Sequence, residues 1–457
     1  MNRSSWSALI ALAALAPLQR ARSEERPGPV VIRGCSVLDV AGGKMLADRT
    51  VVLEGGKVRS ISTPEDPVET PPGATTIAAK GKFLIPGLID AHVHLVHVLD
   101  SCKVTGDEVL PLFVASGVTS VRDIGDEIVA ETLVSRFAEA FPEKAPRVFR
   151  CSPLIDRAPP FHRDIGRAVT DVAKVPEFVD EMAGWGVTSL KLYVGTPREI
   201  GRAVVIEGNK RGLRVAGHLG AYAAQDAVAD GIDALEHIWS VFNYIIPPEE
   251  SKRPDHRATL DLDNPKARAL IAALAERHTF VDPTLVVFRN MILLNDQPAY
   301  SGHPDHAVVP ARVLRHWNGY KARSNLRPET LATRRGEFGK YQQLTGMLHR
   351  AGVPLLAGTD SPEPFVPPGF SMHQELELLA ESGLSPAEAL RCATLHNARA
   401  LGQADQLGTI EPGKLADLVL LDANPLESIA NTRAISKVFR GGLVLEPADL
   451  LKAVPKD

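Results

Sequence analysis

His92 and His94 stand two apart at the end of the run Phe83-Leu-Ile-Pro-Gly-Leu-Ile-Asp-Ala-His-Val-His94. A short apolar run bounded by glycine and proline reads as a buried strand. Side chains alternate along a strand, so these two imidazoles point the same way. Two neutral imidazoles converging from a strand end suit one metal ion. Further candidate ligands each end or occupy a strand-like run of their own. Lys191 lies inside Val187-Thr-Ser-Leu-Lys-Leu-Tyr193, and His218 ends Leu213-Arg-Val-Ala-Gly-His218. His237 ends Ile232-Asp-Ala-Leu-Glu-His237, and Asp360 ends Val353-Pro-Leu-Leu-Ala-Gly-Thr-Asp360. A lone strand lysine is usually a snorkelling edge residue, and a lone strand-end aspartate usually a turn or cap. Five strand ends that all carry metal-ligand chemistry are not jointly explained that way. The pattern predicts a metal centre.

Other reactive side chains read differently. Tyr193 is two residues after Lys191 and shares its face, where it either donates a hydrogen bond to substrate or packs in the core. The loop Ala158-Pro-Pro-Phe-His-Arg-Asp164 places His162 and Arg163 near the same mouth, where either would suit a carboxylate; a guanidinium does so in bidentate fashion. Odd spacing from His94 turns His97 away in an extended strand, so it reads as loop structure. Glu236 points away from the site beside His237 and reads as packing or support. Arg122 and Asp123 read as partners of each other or of strand neighbours.

These groups need elements to hold them. Strands are predicted at 83–91, 118–123, 147–151, 188–193, 213–218, 233–237, 279–286 and 354–359. Helical stretches fall between them, among them Asp171 to Trp185, Ala221 to Asp230 and Asn264 to Arg277. Alternating strand and helix gives a (β/α)8 TIM barrel over 81–404, with its active site at the C-terminal strand ends. The candidate ligands fall at those ends on strands 1, 4, 5, 6 and 8. Segment 287–350 is predicted to be helical and exceeds an ordinary connection, as lids and dimer surfaces do. Short strands at 29–80, with a Gly55-Gly56 hairpin turn, and again at 405–450, predict one composite β-sandwich domain built from both termini.

The 457 residues suit a large barrel with a small satellite domain. A content of 44% hydrophobic and 23% charged residues argues against disorder, and a net charge of -4 leaves no nucleic-acid footprint. Met1-Asn-Arg3 followed by the apolar, alanine-rich Trp6 to Pro17 and by Ala21-Arg-Ser23 reads as a signal peptide, residues 1–23, cleaved after Ser23. It is too short for a stable membrane span, so the expected location is secreted or periplasmic, with an uncleaved N-terminal anchor as the alternative reading. Cys35, Cys102, Cys151 and Cys392 lack zinc-ribbon spacing. Two readings stay open for them: a Cys102–Cys151 disulfide in an oxidising compartment, or buried free thiols.

Pro86-Gly-Leu-Ile-Asp-Ala-His-Val-His-Leu95, Gly117-Val-Thr-Ser-Val-Arg-Asp123, Ala357-Gly-Thr-Asp360 and Ile410-Glu-Pro-Gly-Lys-Leu-Ala-Asp-Leu418 resemble the metal-dependent amidohydrolase superfamily. The imidazolonepropionase-like and Xaa-Pro dipeptidase-like branch looks closest. The resemblance implies His92, His94 and Asp360 on a more buried ion, His218 and His237 on a more exposed one, and a carboxylated Lys191 bridging them. A neutral lysine amine adds carbon dioxide to become an anionic carbamate, whereas an ammonium would repel the cations. Two divalent ions are therefore expected, zinc first, with manganese, cobalt or iron as alternatives. Deaminases of the superfamily usually carry a glutamate three residues after the strand-5 histidine; here Ala221 takes that place, which argues against deamination.

The expected activity is hydrolysis of an amide C–N bond in a small molecule, a dipeptide or N-acyl amino acid, by a metal-bridging hydroxide. Asp360 would orient the water and move its proton. The alternatives are an esterase, lactonase or organophosphate hydrolase on the same binuclear site, and a non-catalytic homologue, which typically loses ligands that this chain retains. Barrels of this class often dimerise, so a homo-oligomer belongs to the expectations.

Overall fold

The computed structural model describes residues 27–67, 69–292, 303–323 and 327–454. Residues 1–23, the segment expected to be a signal peptide, lie outside the described residues. No helix among the described residues is long and apolar enough to cross a membrane.

Both ends of the chain contribute to one eight-stranded sheet. Its path runs Leu443–Leu445, Ile435–Arg440, Leu418–Leu421, Phe83–Pro86, Val30–Asp39, Lys44–Glu54 and Lys57–Ser62, with Thr75–Ala78 paired to Val30–Asp39. Gly55 and Gly56 make the hairpin turn with φ of 60° and 79°, the left-handed pair that a two-residue turn between twisted strands requires. Hydrogen bonds run through this sheet without a break into two sheets. Phe83–Pro86 is the seam, antiparallel to Leu418–Leu421 and parallel to Val30–Asp39. A bridge from Lys57 to Leu415 curls the far edge back, enclosing Ile32, Val51, Leu53, Leu84, Leu418, Leu420 and Phe439.

The strand expected at 83–91 is divided at Gly87. The Gly87 N–H bonds to Asp417 O at 2.8 Å, and a Cβ there would fall 2.1 Å from Thr119 Oγ1. Leu88–Val93 starts a second system, parallel to Val118–Asp123, which is parallel to Arg147–Arg150. A parallel bridge from Cys151 to Ser189 leads to Ser189–Leu192, and Arg214–Gly217, Ala234–Glu236 and Phe280–Asp282 follow in parallel order. The run expected as strand 354–359 lacks regular strand pairing. It still accepts from Ala91 N–H at Ala357 O (3.1 Å) and donates from Leu356 N–H to Val281 O (2.9 Å). Side chains replace part of its ladder: Asn397 accepts from Ala357 N–H and donates to Ile89 O and Ala357 O. Eight extended segments thus form a circuit of hydrogen-bonded neighbours.

Helices fill the connections, among them Gly106–Ala115, Ile128–Ala140, Val175–Trp185, Arg198–Lys210 and Ala224–Asp230. Pro265–Arg277 starts at an Asn264 cap, whose side chain accepts from Ala267 N–H at 3.0 Å. Leu285–Ile292, Ala311–Arg323 and Pro328–Arg350 occupy the long excursion before the last segment. Short strands Leu154–Asp156 and Gly166–Ala168, absent from the sequence expectation, continue the third strand past Pro153 and frame the loop that carries His162. All four cysteines are buried free thiols, so the Cys102–Cys151 disulfide is not formed.

Candidate metal centre

The first strand delivers His92 and His94 to the rim of the circuit, 1% and 8% exposed. Asp360 arrives from the last segment with its Oδ1 3.5 Å from His92 Nε2 and 3.3 Å from His94 Nε2. It stands in the left-handed region at φ 61°, as does His237 at φ 62°, conformations disfavoured for side chains with a Cβ. Such strain at converging polar groups is typical of functional positions. Gly358 permits the approach, because a Cβ there would lie 2.1 Å from Asp282 Oδ2 and 2.6 Å from His92 Cβ.

His237 and His218 close the other side. Ring centroids are 4.4 Å apart for His218 and His237, and 4.6 Å for His92 and His237. His237 Nδ1 is hydrogen-bonded to the Thr284 hydroxyl at 2.8 Å, which leaves Nε2 for the cavity. Burial pushes His218 and His237 well below the usual imidazole range and His92 down to about 4, so these rings are neutral, the form that binds metal. Burial would raise Asp360, but His92, His94 and His237 outweigh it and keep it ionised. Lys191 is 1% exposed, and burial lowers its pKa, favouring the neutral amine.

Three buried atoms in this cluster have no hydrogen-bond partner: His92 Nε2, His94 Nδ1 and Lys191 Nζ. Buried polar atoms normally find partners. Orphaned nitrogens facing a carboxylate and two further imidazoles fit a cation, and His92, His94 and Asp360 are geometrically able to hold one. All six expected ligand residues come together here.

A second layer of contacts was not legible. Glu236 does not turn away from the site: its Oε2 accepts from His92 Nδ1 at 2.8 Å and its Oε1 from Arg122 Nη2 at 2.6 Å. Burial would raise Glu236, but Arg122, Lys191 and His92 outweigh it and hold it well below the usual carboxylate range. Arg122 accordingly pairs with Glu236 and Ala91 O, and not with Asp123. Asp90 accepts from Thr359 Oγ1 (2.7 Å) and from the Thr359 and His92 N–H groups, tying the last segment to the first strand.

His97 also departs from expectation. The strand stops at Val93 and a helix, His97–Ser101, begins, so strand alternation no longer applies. Its ring lies 4.7 Å from that of His94, and its Nδ1 donates to the buried Asp126 at 2.8 Å. Glu363, in the turn after Asp360, carried no signal in the sequence beyond its closeness to that ligand.

Tyr193 OH is 3.0 Å from His162 Nε2, and the Tyr193 and His218 rings are 5.2 Å apart, so His162 joins the site through Tyr193. Asp156 anchors the loop by accepting from Phe161 N–H at 2.7 Å. Arg163, on the same loop, is exposed and makes no hydrogen bond or ion pair among the described residues. The structure does not bring it to the cluster.

Residues 83–445 match the amidohydrolase family. An imidazolonepropionase of Cupriavidus necator is 24% identical over 423 residues, covering 85% of this chain and 88% of that protein. One from Shouchella clausii is 32% identical over 114 residues, but that match spans only 22% of this chain and 24% of the relative. Among solved structures, a Xaa-Pro dipeptidase with methionine bound in its active site superposes with a TM-score of 0.69. It is 20% identical, with 92% of this chain and all of that chain covered, a likeness of fold.

Proposed function

The chain belongs to the amidohydrolase family, and on that premise we propose that it is an exported, metal-dependent hydrolase of an amide C–N bond in a dipeptide or N-acyl amino acid. The hydrogen-bonded circuit is read as a (β/α)8 barrel, whose catalytic groups gather at the C-terminal ends of its strands. The observation that carries the proposal is the convergence of His92, His94, Lys191, His218, His237 and Asp360, with orphaned nitrogens on three of them. His92, His94 and Asp360 would hold one divalent ion, His218 and His237 a second, and a Lys191 carbamate would bridge them. Bound there, such ions supply Lewis acidity that lowers the pKa of water and polarises a carbonyl.

The protein groups do the rest. Neutral Lys191 can take up carbon dioxide, forming an N–C bond and releasing a proton to become an anionic carbamate. Ionised Asp360 accepts a proton from the attacking water and returns it to the leaving nitrogen. Tyr193 OH, with His162 beside it, donates a hydrogen bond to the oxygen on which charge develops. The charged start and apolar run within residues 1–23 support export to the periplasm or medium.

Elemental analysis combined with turnover across dipeptides, N-acyl amino acids and esters tests this. Two equivalents of metal and amide cleavage that is lost on chelation are expected. Amide turnover that survives complete metal removal would refute the scheme, and cleavage of esters alone would favour the esterase alternative.

A further inference from the structure

Away from the metal centre, a buried charge lies where the small sheet meets the barrel. Arg440 ends the sheet strand Ile435–Arg440 and is 5% exposed. Its Nε has no hydrogen-bond partner, and its one ion pair among the described residues, Nη1 to Asp417 Oδ1, spans 3.8 Å. That is too long for a hydrogen bond. Asp417 is already engaged: it accepts from Arg147 Nε at 2.6 Å and Nη2 at 3.3 Å, and from the Gly441 N–H at 2.6 Å. Two guanidiniums thus share one carboxylate, and Arg440 keeps donors to spare. Burial pushes its pKa down to about 10, with Asp417 opposing the shift and Arg147 adding to it, so the group stays charged at neutral pH. A buried cation short of acceptors is costly.

Arg440 and Arg147 line a cavity of about 360 Å³, and Ala138, Pro142, Leu407 and Leu415 give it an apolar wall. The exposed Glu139 also borders it and pairs with Arg136 at 3.6 Å. Arg147 opens the barrel strand Arg147–Arg150, so the cavity lies at the N-terminal strand ends, opposite the face that gathers the candidate metal ligands. A guanidinium beside apolar surface matches a carboxylate carried on an apolar body. We propose that this cavity binds a small organic carboxylate, its charge paired with Arg440 and its apolar part lying against Pro142 and Leu407. Such a ligand supplies the second counter-charge and ties the small sheet to the barrel, stabilising the native form that alone binds it. The site is separate from the hydrolytic one and stands whether or not the hydrolase reading holds.

Benzoate is the probe, with benzamide as its uncharged counterpart, both titrated calorimetrically at fixed ionic strength into wild-type protein and Arg440→Gln. Wild type is expected to bind benzoate saturably and to prefer it to benzamide at least about 10-fold. The variant is expected to bind benzoate about 10- to 100-fold more weakly, the scale of hydrogen bonds to a charged group. Benzoate held only at the metal centre would be indifferent to the substitution, so unchanged affinity in the variant overturns the proposal, as does equal binding of benzamide by wild type. Wild-type crystals soaked in 4-bromobenzoate give an answer that needs no variant to fold. An anomalous bromine peak beside Leu407 supports the site, and its absence there overturns it.

Discussion

Glu236 Oε2 accepts a hydrogen bond from His92 Nδ1 at 2.8 Å, with both side chains sealed from solvent and 144 positions apart in sequence. The contact sets the tautomer of His92 and leaves Nε2 as the only ring nitrogen for a ligand. Through its other oxygen the same carboxylate neutralises Arg122, also buried. One residue therefore aims a ligand and balances an interior charge.

Glu236→Ala separates these two roles. Losing the outer partner of a metal-binding histidine is expected to weaken metal affinity about 10- to 100-fold. Stranding Arg122 without a counter-charge is expected to destabilise the fold by about 3–5 kcal/mol. Metal titration and denaturant unfolding measure the two losses. Unaltered metal affinity in a folded variant would show that His92 does not need this partner.

Lys191→Ala removes the amine that would bridge two ions. Metal content is expected to drop from two equivalents to one or none, with kcat/KM at least about 100-fold lower, given the share of transition-state charge that metal ions carry. Wild-type protein depleted of carbon dioxide should regain activity when bicarbonate is added. Full occupancy and normal turnover in the alanine variant would defeat the bridging scheme.

Tyr193→Phe deletes one hydroxyl and its hydrogen bond to His162. If that hydroxyl meets the developing oxyanion, kcat falls about 100-fold, on the scale of a single oxyanion-hole donor, with little change in metal content. A change in kcat below about twofold would return Tyr193 to a packing role.

His373 offers a pH readout away from the metal centre. It is buried with Nδ1 bonded to the Thr432 hydroxyl at 2.9 Å, and burial pushes its pKa down to about 3. The unfolded chain takes up a proton on this ring near pH 6.5, while the folded chain refuses it. Stability from this group is thus complete above about pH 6.5 and drains away as pH falls toward 3, by up to about 1.4 kcal/mol per pH unit. His373→Gln is expected to flatten the stability profile between pH 6 and 4 by that amount. Parallel profiles for wild type and variant would mean that the ring is protonated in the fold.

What could be read from the chain alone follows from local rules. Alternation along short apolar runs places His92 beside His94, and each of Lys191, His218, His237 and Asp360 at the open end of its own run, because side-chain direction in a strand depends only on residue count. Where the backbone leaves the strand, counting fails. His97 sits on a helix start, which turns it back toward His94, and Gly87 breaks one expected strand into parts of two sheets. The last segment keeps its place through Asn397 and Asp90, side chains that substitute for ladder hydrogen bonds.

The amino-acid sequence by itself determined which ligand-type residues end up at strand ends and that the ends of the chain carry short sheet strands. Tertiary structure alone decided that Glu236 aims His92 and that Asp126 orients His97. Such pairings are chosen by closure of the circuit, which brings together positions tens to hundreds of residues apart, and no local periodicity encodes that distance.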